Sequence, residues 1–328
     1  MRSSSMTPSH YFLPLCLAGA LLSTACVSTS GPIGTTNTTG NSLRVNIPPP
    51  SPLRLPKATV FKGEDRFHQL VKQAERENWR ALPIGPRTAT VGKALLGTPY
   101  INYSLEIDDR IEAPSVNFLG LDCWTFYEIA LGFARMLRVK AGDYQPGDLL
   151  HMVEVERYRH GVCTGDYLSR MHFLEEVFHD NERRGLSVNP TKSWGGERLQ
   201  RNIREMSVAW RSYRYLRNNP SLRTRMAEVE RKVSALPVYH IPKSRVPAVE
   251  SRIQTGDIIA ISTNWHGSYT SHVGLAYRDN QGVLRFMHAT SERSKGRRVI
   301  LDRSISEYLN ESRNRAGIIV SRPLEIGA

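Results

Sequence analysis

The sequence predicts an α+β fold, with helices in the N-terminal half and antiparallel strands in the C-terminal half. Three observations carry this expectation. Apolar residues recur at helical spacing early in the chain, as in Phe126, Ile129, Ala130, Phe133 and Leu137. Late in the chain the pattern shortens to β-type runs at Asp257 to Ser262, His272 to Tyr277, Leu284 to His288 and Gly317 to Ser321. Asp279-Asn280-Gln281-Gly282 is turn chemistry between two of them, and helices followed by strands fit α+β better than an alternating α/β sheet.

The first residues read as an address. Arg2 supplies a positive charge, Tyr11 to Leu22 is an apolar run too short to span a bilayer comfortably, and small residues follow. Residues 1–25 are therefore expected to be a signal peptide. Leu21-Leu22-Ser23-Thr24-Ala25-Cys26 resembles a bacterial lipoprotein signal, which makes Cys26 the candidate lipidated residue. Ser23 departs from that pattern, so ordinary signal cleavage nearby stays open as an alternative. Val27 is not the aspartate associated with inner-membrane retention, and an exported, periplasmic protein held on the outer membrane is expected. Residues 26–57, rich in Ser, Thr, Gly and Pro, read as a flexible linker. The formal net charge of +13 favours a polyanionic partner or surface, and export argues against nucleic acid.

Residues 58–328 are expected to form the folded domain, and 328 residues with 40% hydrophobic content can bury a full core. Phe67, Leu70, Val71 and Ala74 mark a helix running to about Trp79, and Thr90 to Leu96 a second, short one. Leu96-Gly97-Thr98-Pro99-Tyr100 then breaks the helix and opens an extended segment through Leu105. Asp122 is a good N-cap for the next helix, which puts Cys123 in its first turn. A helix N-terminus favours thiolate, whereas the Asp122 carboxylate opposes it, so an active Cys123 needs a base from elsewhere. Asp148 to Tyr158 and Tyr167 to Arg184 read as helices, with Gly161 to Asp166 as the turn between them.

Glu197 to Lys232 carries ten Arg or Lys against four Glu and is interrupted at Asn218-Asn219-Pro220. It predicts a hairpin of two basic helices within an insertion at about residues 190–250, with a mainly solvated face. Of the four cysteines, Cys16 leaves with the signal and Cys26 is the lipidation candidate. Cys123 and Cys163 remain; a disulfide between them would silence Cys123, so the disulfide and nucleophile readings exclude each other. Cys163, in a turn without a matched motif, reads as structural.

Ten histidines are available, and two stand out. His272 begins one predicted strand and His288 ends the next, so antiparallel pairing sets them side by side. His272 is then the candidate base for Cys123, and His288 the residue that orients it. Tyr167, Ser169, Arg170 and His172 sit together as candidate ligands for a carboxylate or sugar hydroxyls, with Glu106 as a candidate acidic wall. No His-Glu-x-x-His pattern points to a metal, and no cofactor is expected.

The order Leu96-Gly97-Thr98-Pro99-Tyr100, Asp122-Cys123, Gly256-Asp257, His272-Val273-Gly274, Met287-His288-Ala289 resembles the NlpC-type cell-wall cysteine hydrolases, which are papain-like. The resemblance covers Leu96 to Arg322. Asp122-Cys123-Trp124-Thr125-Phe126, Tyr167 to His172 and Gly317 to Pro323 are similar to the N-acetylmuramoyl-L-alanine amidase branch. The resemblance implies a catalytic Cys123 at a helix start packed on a C-terminal antiparallel sheet. It further implies cleavage of the amide between N-acetylmuramic acid and L-Ala through a thioester, with Tyr100 as a second oxyanion donor beside the Cys123 N–H. Peptidoglycan or its muropeptide fragments would be the partner, and a monomer is expected. Tyr100 to Ser104, where small residues are usual, and Trp124, where a small hydroxyl is usual, depart from the pattern. Two alternatives stay open: a D-Glu/diaminopimelate endopeptidase of the same fold, and a non-catalytic wall-binding lipoprotein.

Overall fold

The computed structural model describes residues 45–327. The expected signal peptide, Cys26 and the first part of the linker lie outside the described residues. Residues 45–56 are not a free tether. Val45, Ile47 and Leu55 pack on the core, His151 Nε2 donates to the Pro48 carbonyl at 2.7 Å, and the Ser51 N–H donates to Glu154 at 3.1 Å. Prolines already restrict the unfolded chain, so a few apolar contacts are enough to hold this segment down.

Helix α1 (Lys57–Val60) and strand β1 (Phe61–Lys62) lead into α2 (Glu64–Arg76), which buries the predicted stripe of Phe67, Leu70, Val71 and Ala74. Helix α3 (Ile84–Ala94) starts six residues earlier than expected. Pro86 reads as a breaker, but it falls in the first turn, where helix N–H groups have no intrahelical partner to lose. Strand β2 (Val116–Asn117) pairs in parallel with β1 and precedes α4 (Cys123–Val139), which is followed by α5 (Pro146–Arg157).

The long helix expected from Tyr167 is split into a short turn at Tyr167–Ser169, an extended stretch, and α6 (Leu174–Arg183). Tertiary ties override local propensity here. The Met171 N–H donates to the Arg157 carbonyl at 3.0 Å, and the Arg170 guanidinium reaches Glu106 at 3.1 Å and Glu112 at 3.2 Å.

The basic insertion holds β3 (Ser187–Val188), β4 (Glu197–Arg198), α7 (Glu205–Val208), α8 (Arg214–Asn218), α9 (Leu222–Ser234), β5 (Tyr239–Pro242) and α10 (Val246–Val249). The expected two-helix hairpin is thus three shorter helices. Buried Glu230 on α9 accepts the N–H groups of Met206 (2.7 Å) and Ser207 (3.1 Å), fixing α7 against it.

The C-terminal half is strand-rich as predicted: β6 (Ile258–Thr263), β7 (Thr270–Arg278), β8 (Leu284–Ala289), β9 (Val299–Ser304), α11 (Ile305–Asn310) and β10 (Arg315–Pro323). The main sheet runs β4-β5-β10-β6-β7-β8-β9, antiparallel throughout, and β3 pairs with β10. One face carries the helical core with Ala260, Val273 and Met287. The other packs Ile259, Ile261, Phe286 and Val320 against α10 and α11. Asp257, at the head of β6, receives Arg322 of β10 through two bonds of 2.8 Å, which pins the sheet centre. Gly256 before it has φ +89°, and a Cβ there would come within 2.1 Å of the Gly85 carbonyl oxygen, so only glycine fits where α3 meets β6.

Helix α4 is buried from Thr125 to Leu137, including Glu128 and Arg135. Each finds its counter-charge on α5. Arg157 bonds Glu128 at 2.8 Å and also reaches the Ser115 hydroxyl (3.2 Å) and carbonyl (3.1 Å), while Arg135 pairs with Glu156 and donates to the Leu186 carbonyl at 2.6 Å. A lone charge here would be far costlier than a pair. Arg157→Met should therefore destabilise the protein by about 3–5 kcal/mol in urea titrations, and Glu128→Leu with Arg157→Met together by clearly less than the sum of the two. Additive losses would show that the pair is not coupled.

Candidate active site

Cys123 opens α4 because Asp122 caps it. The Asp122 carboxylate accepts the Thr125 N–H (2.8 Å) and hydroxyl (2.9 Å), and Thr125 Oγ1 in turn accepts the Asp122 N–H (3.1 Å). Its other oxygen accepts the Ser104 hydroxyl at 2.5 Å, tying the extended segment to the helix start. The same segment is bound by an isolated bridge between Tyr100 and Leu121. Cys123 and Cys163 are both free thiols, which removes the disulfide reading; Cys163 is buried against the Glu112 carbonyl.

The N-terminus of α4 lies against the start of β7. The N–H groups of Val273, Cys123 and Trp124 all favour negative charge on the Cys123 sulfur, yet burial, followed by the Asp122 carboxylate, outweighs them and pushes the thiol up to about 12. The opposition between the helix start and Asp122 that the sequence implied is thus tipped against the thiolate by burial.

His272 and His288 are adjacent, as predicted from their strands. The register pairs Leu275 with Met287, so His288 lies opposite Gly274 and diagonal to His272. His272 Nε2 and His288 Nδ1 are 2.7 Å apart. Phe286 packs against the His288 ring at 4.6 Å, and Tyr308 of α11 closes on both imidazoles. Burial, then the neighbouring His288 and the cations Arg315 and Lys295, holds His272 well below the ordinary imidazole range. Burial thus pushes both groups toward their neutral forms. Asp302 of β9, which the sequence did not single out, lies 3.2 Å from His288 Nε2 and also pairs with Lys295 at 2.6 Å.

Cys123 opens on a cleft of about 410 Å³. Tyr100, Trp124, Tyr167, Arg170 and His172 line it, with Glu106 and Tyr103, and the insertion adds Glu205, Met206 and Tyr213. A larger concavity of about 580 Å³, bordered by Glu175, Phe178 and Tyr239, contains no cysteine, so Cys123 selects the smaller cleft, whose walls include His172 but not His272 or His288. Of the predicted ligands, Ser169 is not on the cleft wall: its hydroxyl is spent on the Asp166 carbonyl at 2.6 Å. Arg170 is on the wall but already neutralised by Glu106 and Glu112. Glu106 is an organiser as much as a wall. It accepts from Tyr167 (2.8 Å), Arg170 (3.1 Å) and the Tyr215 N–H (2.9 Å). His172 Nε2 donates to the Tyr167 carbonyl at 3.0 Å and packs on the Tyr167 ring, which stacks on Tyr215 with centroids 4.3 Å apart.

The basic insertion is thus part of the cleft and not only a solvated face, although Arg223, Arg225, Arg231 and Lys232 do face solvent. The signal that could have shown this was Tyr213 and Tyr215, aromatics interleaved with the arginines. Trp124 is placed by its N–H, which donates to buried Glu128 at 2.7 Å.

Two results should follow from this geometry. A Cβ at Gly274 would meet the Met287 carbonyl oxygen at 2.5 Å and His288 Cβ at 2.8 Å, so Gly274→Ala should displace His288, lower kcat by about 100-fold and also destabilise the sheet by about 1–3 kcal/mol in urea titrations. An unchanged kcat would separate His288 from turnover. For a base at His272, whose pKa burial depresses, kcat/KM should fall only as pH drops through a midpoint below about 6.5, and stay flat from about pH 7 to about pH 10. A midpoint above the ordinary imidazole value would contradict a neutral buried base.

Comparison with known proteins fits this arrangement. A family model described as AmiA-like, N-acetylmuramoyl-L-alanine amidase-like, matches residues 90–318. An N-acetylmuramoyl-L-alanine amidase from Bacteroides uniformis superposes with a TM-score of 0.66 at 27% identity, covering 74% of this chain and 99% of its own. A Bacteroides fragilis protein provisionally named a xylanase reaches 0.64 at 31% identity, covering 71% of this chain and 99% of its own. A Legionella pneumophila protein at 21% identity, TM-score 0.58, covering 81% of this chain and all of its own, shares the fold. No curated protein matches the chain significantly.

Proposed function

This chain belongs to the N-acetylmuramoyl-L-alanine amidase-like family, a family of peptidoglycan hydrolases, and from that premise we propose that it is a cysteine amidase of papain-like, NlpC type. The bond cut is the amide between N-acetylmuramic acid and the L-Ala of the stem peptide. The observation that carries the reading is Cys123 at a capped helix start beside a strand that presents hydrogen-bonded His272 and His288.

In the reaction His272 takes the Cys123 proton as the sulfur attacks the amide carbonyl. Between neutral partners this is general-base catalysis, in which transfer accompanies attack. The oxyanion is held by the Cys123 N–H, with the Tyr100 hydroxyl as a second donor. Protonated His272 then delivers its proton to the departing L-Ala nitrogen, the C–N bond breaks, and water activated by the same imidazole hydrolyses the thioester. Tyr167, His172 and the insertion's Tyr213 form the wall against which sugar and peptide lie. The expected signal peptide and Cys26 favour a periplasmic, lipid-anchored enzyme, and we take it to act as a monomer.

The carbohydrate name of one neighbour raises a glycosidase reading, which the cleft supports less well. Such an enzyme needs two working carboxyl groups across a sugar bond. Asp122 is spent on the helix cap and Glu106 on Tyr167, Arg170 and Tyr215, which leaves Glu205 alone.

Digestion of defined muropeptides by wild type and Cys123→Ala, with products identified by mass, tests the proposal. Release of an intact stem peptide with a free L-Ala amine, lost in the variant, is expected. A cut after D-Glu would mean an endopeptidase, and the absence of any Cys123-dependent product would sink both readings.

A further inference from the structure

We propose that Asp302 is a positioning residue that decides, through His288, which nitrogen of His272 acts as the base. The inference rests on the reading of Cys123 and His272 as nucleophile and base. Asp302 Oδ2 lies 3.2 Å from His288 Nε2 and receives Lys295 Nζ at 2.6 Å; its Oδ1 receives the Arg303 N–H at 2.8 Å. A carboxylate held by an ammonium and a backbone N–H stays ionised and can only accept hydrogen bonds.

The consequence runs inward one bond at a time. His288 Nε2 must carry the hydrogen and donate to Asp302. In a neutral imidazole the other nitrogen, Nδ1, is then an acceptor. His288 Nδ1 faces His272 Nε2 at 2.7 Å, so His272 Nε2 must be the donor. That leaves the lone pair of His272 on Nδ1, free to take the thiol proton of Cys123. Without the carboxylate the chain can reverse. His288 Nδ1–H would donate to His272 Nε2, and His272 Nδ1 would then carry a hydrogen and be useless as a base. No proton passes along the relay during turnover. When His272 becomes imidazolium, its Nε2–H keeps the same partner, with the Asp302 charge beyond it.

The rings cannot swivel to escape this choice. His288 is fully buried, held between Phe286 and Tyr308, with Gly274 behind it. Asp302 sits on the outermost strand, β9, bound into place by Lys295, which Glu311 also holds at 3.0 Å.

The test compares Asp302→Leu, which removes the acceptor, with Asp302→Asn, whose amide oxygen can still accept from His288 and Lys295. The readouts are muropeptide kinetics and ¹⁵N NMR of the imidazoles. Asp302→Leu should lose about 100-fold in kcat with little change in KM, and Asp302→Asn should recover most of that loss. In wild type, the ¹⁵N shifts should show hydrogen on Nε2 of both rings. Hydrogen on His288 Nδ1 in wild type, full activity in Asp302→Leu, or equal losses in the two variants would overturn the proposal. The wild-type spectrum decides the matter even if a variant fails to fold. Muropeptide cleavage that survives Cys123→Ala would instead overturn the reading of the nucleophile and leave the hydrogen positions to be judged by NMR.

Discussion

The buried pairing of Glu128 with Arg157 is the constraint on which the rest of this structure depends. Helix α4 must be apolar enough to sit inside the protein and yet fixed in rotation, because a turn of its axis would carry Cys123 away from β7. Apolar contacts alone tolerate small rotations and slides. Glu128 admits few arrangements: it must meet the Arg157 guanidinium of α5 and the Trp124 indole together. Arg157 is itself anchored to Ser115, ahead of α4. A single buried carboxylate thus links the helix that bears Cys123, the helix behind it and a wall of the cleft.

Around the thiol the protein places opposing influences and lets burial win. Helix N–H groups favour a thiolate, and burial together with an acidic cap opposes it. Asp122 cannot be relieved of this role cheaply, since the same carboxylate caps α4 and receives Ser104. Burial pushes both partners of the proposed reaction toward their neutral forms, and in neutral imidazoles the hydrogen positions on the two rings are the variable that matters. An ionised Asp302 at the sheet edge can fix those positions because each link in the chain admits one donor and one acceptor.

The cleft itself is a joint product of three chain segments far apart in sequence. The extended stretch around Tyr103, the turn at Tyr167 and the insertion at Tyr213 meet because the Glu106 carboxylate accepts from two of them and belongs to the third. Arg170 completes the arrangement between two carboxylates, so its role is cohesion at the wall more than a free positive charge for substrate.

The residues by themselves determined the α+β class, the α2 and α4 helices, four of the central strands, the capped cysteine and the adjacency of His272 and His288, but not the place of β10 between β5 and β6. Each follows from local periodicity or from strand pairing, which act over a few residues. Asp302 was not legible, because β9 is an edge strand with a single fully buried position, Val299, and carries almost no hydrophobic pattern. Ser169 was misread for a related reason: its type suits a ligand, but only the fold shows its hydroxyl turned to Asp166. The docking of residues 45–56, the break of the helix after Tyr167 and the insertion's part in the cleft were likewise decided by tertiary contacts. Sequence pattern reports what a segment can bury, whereas the partners that folding brings within hydrogen-bond reach decide where each polar group ends.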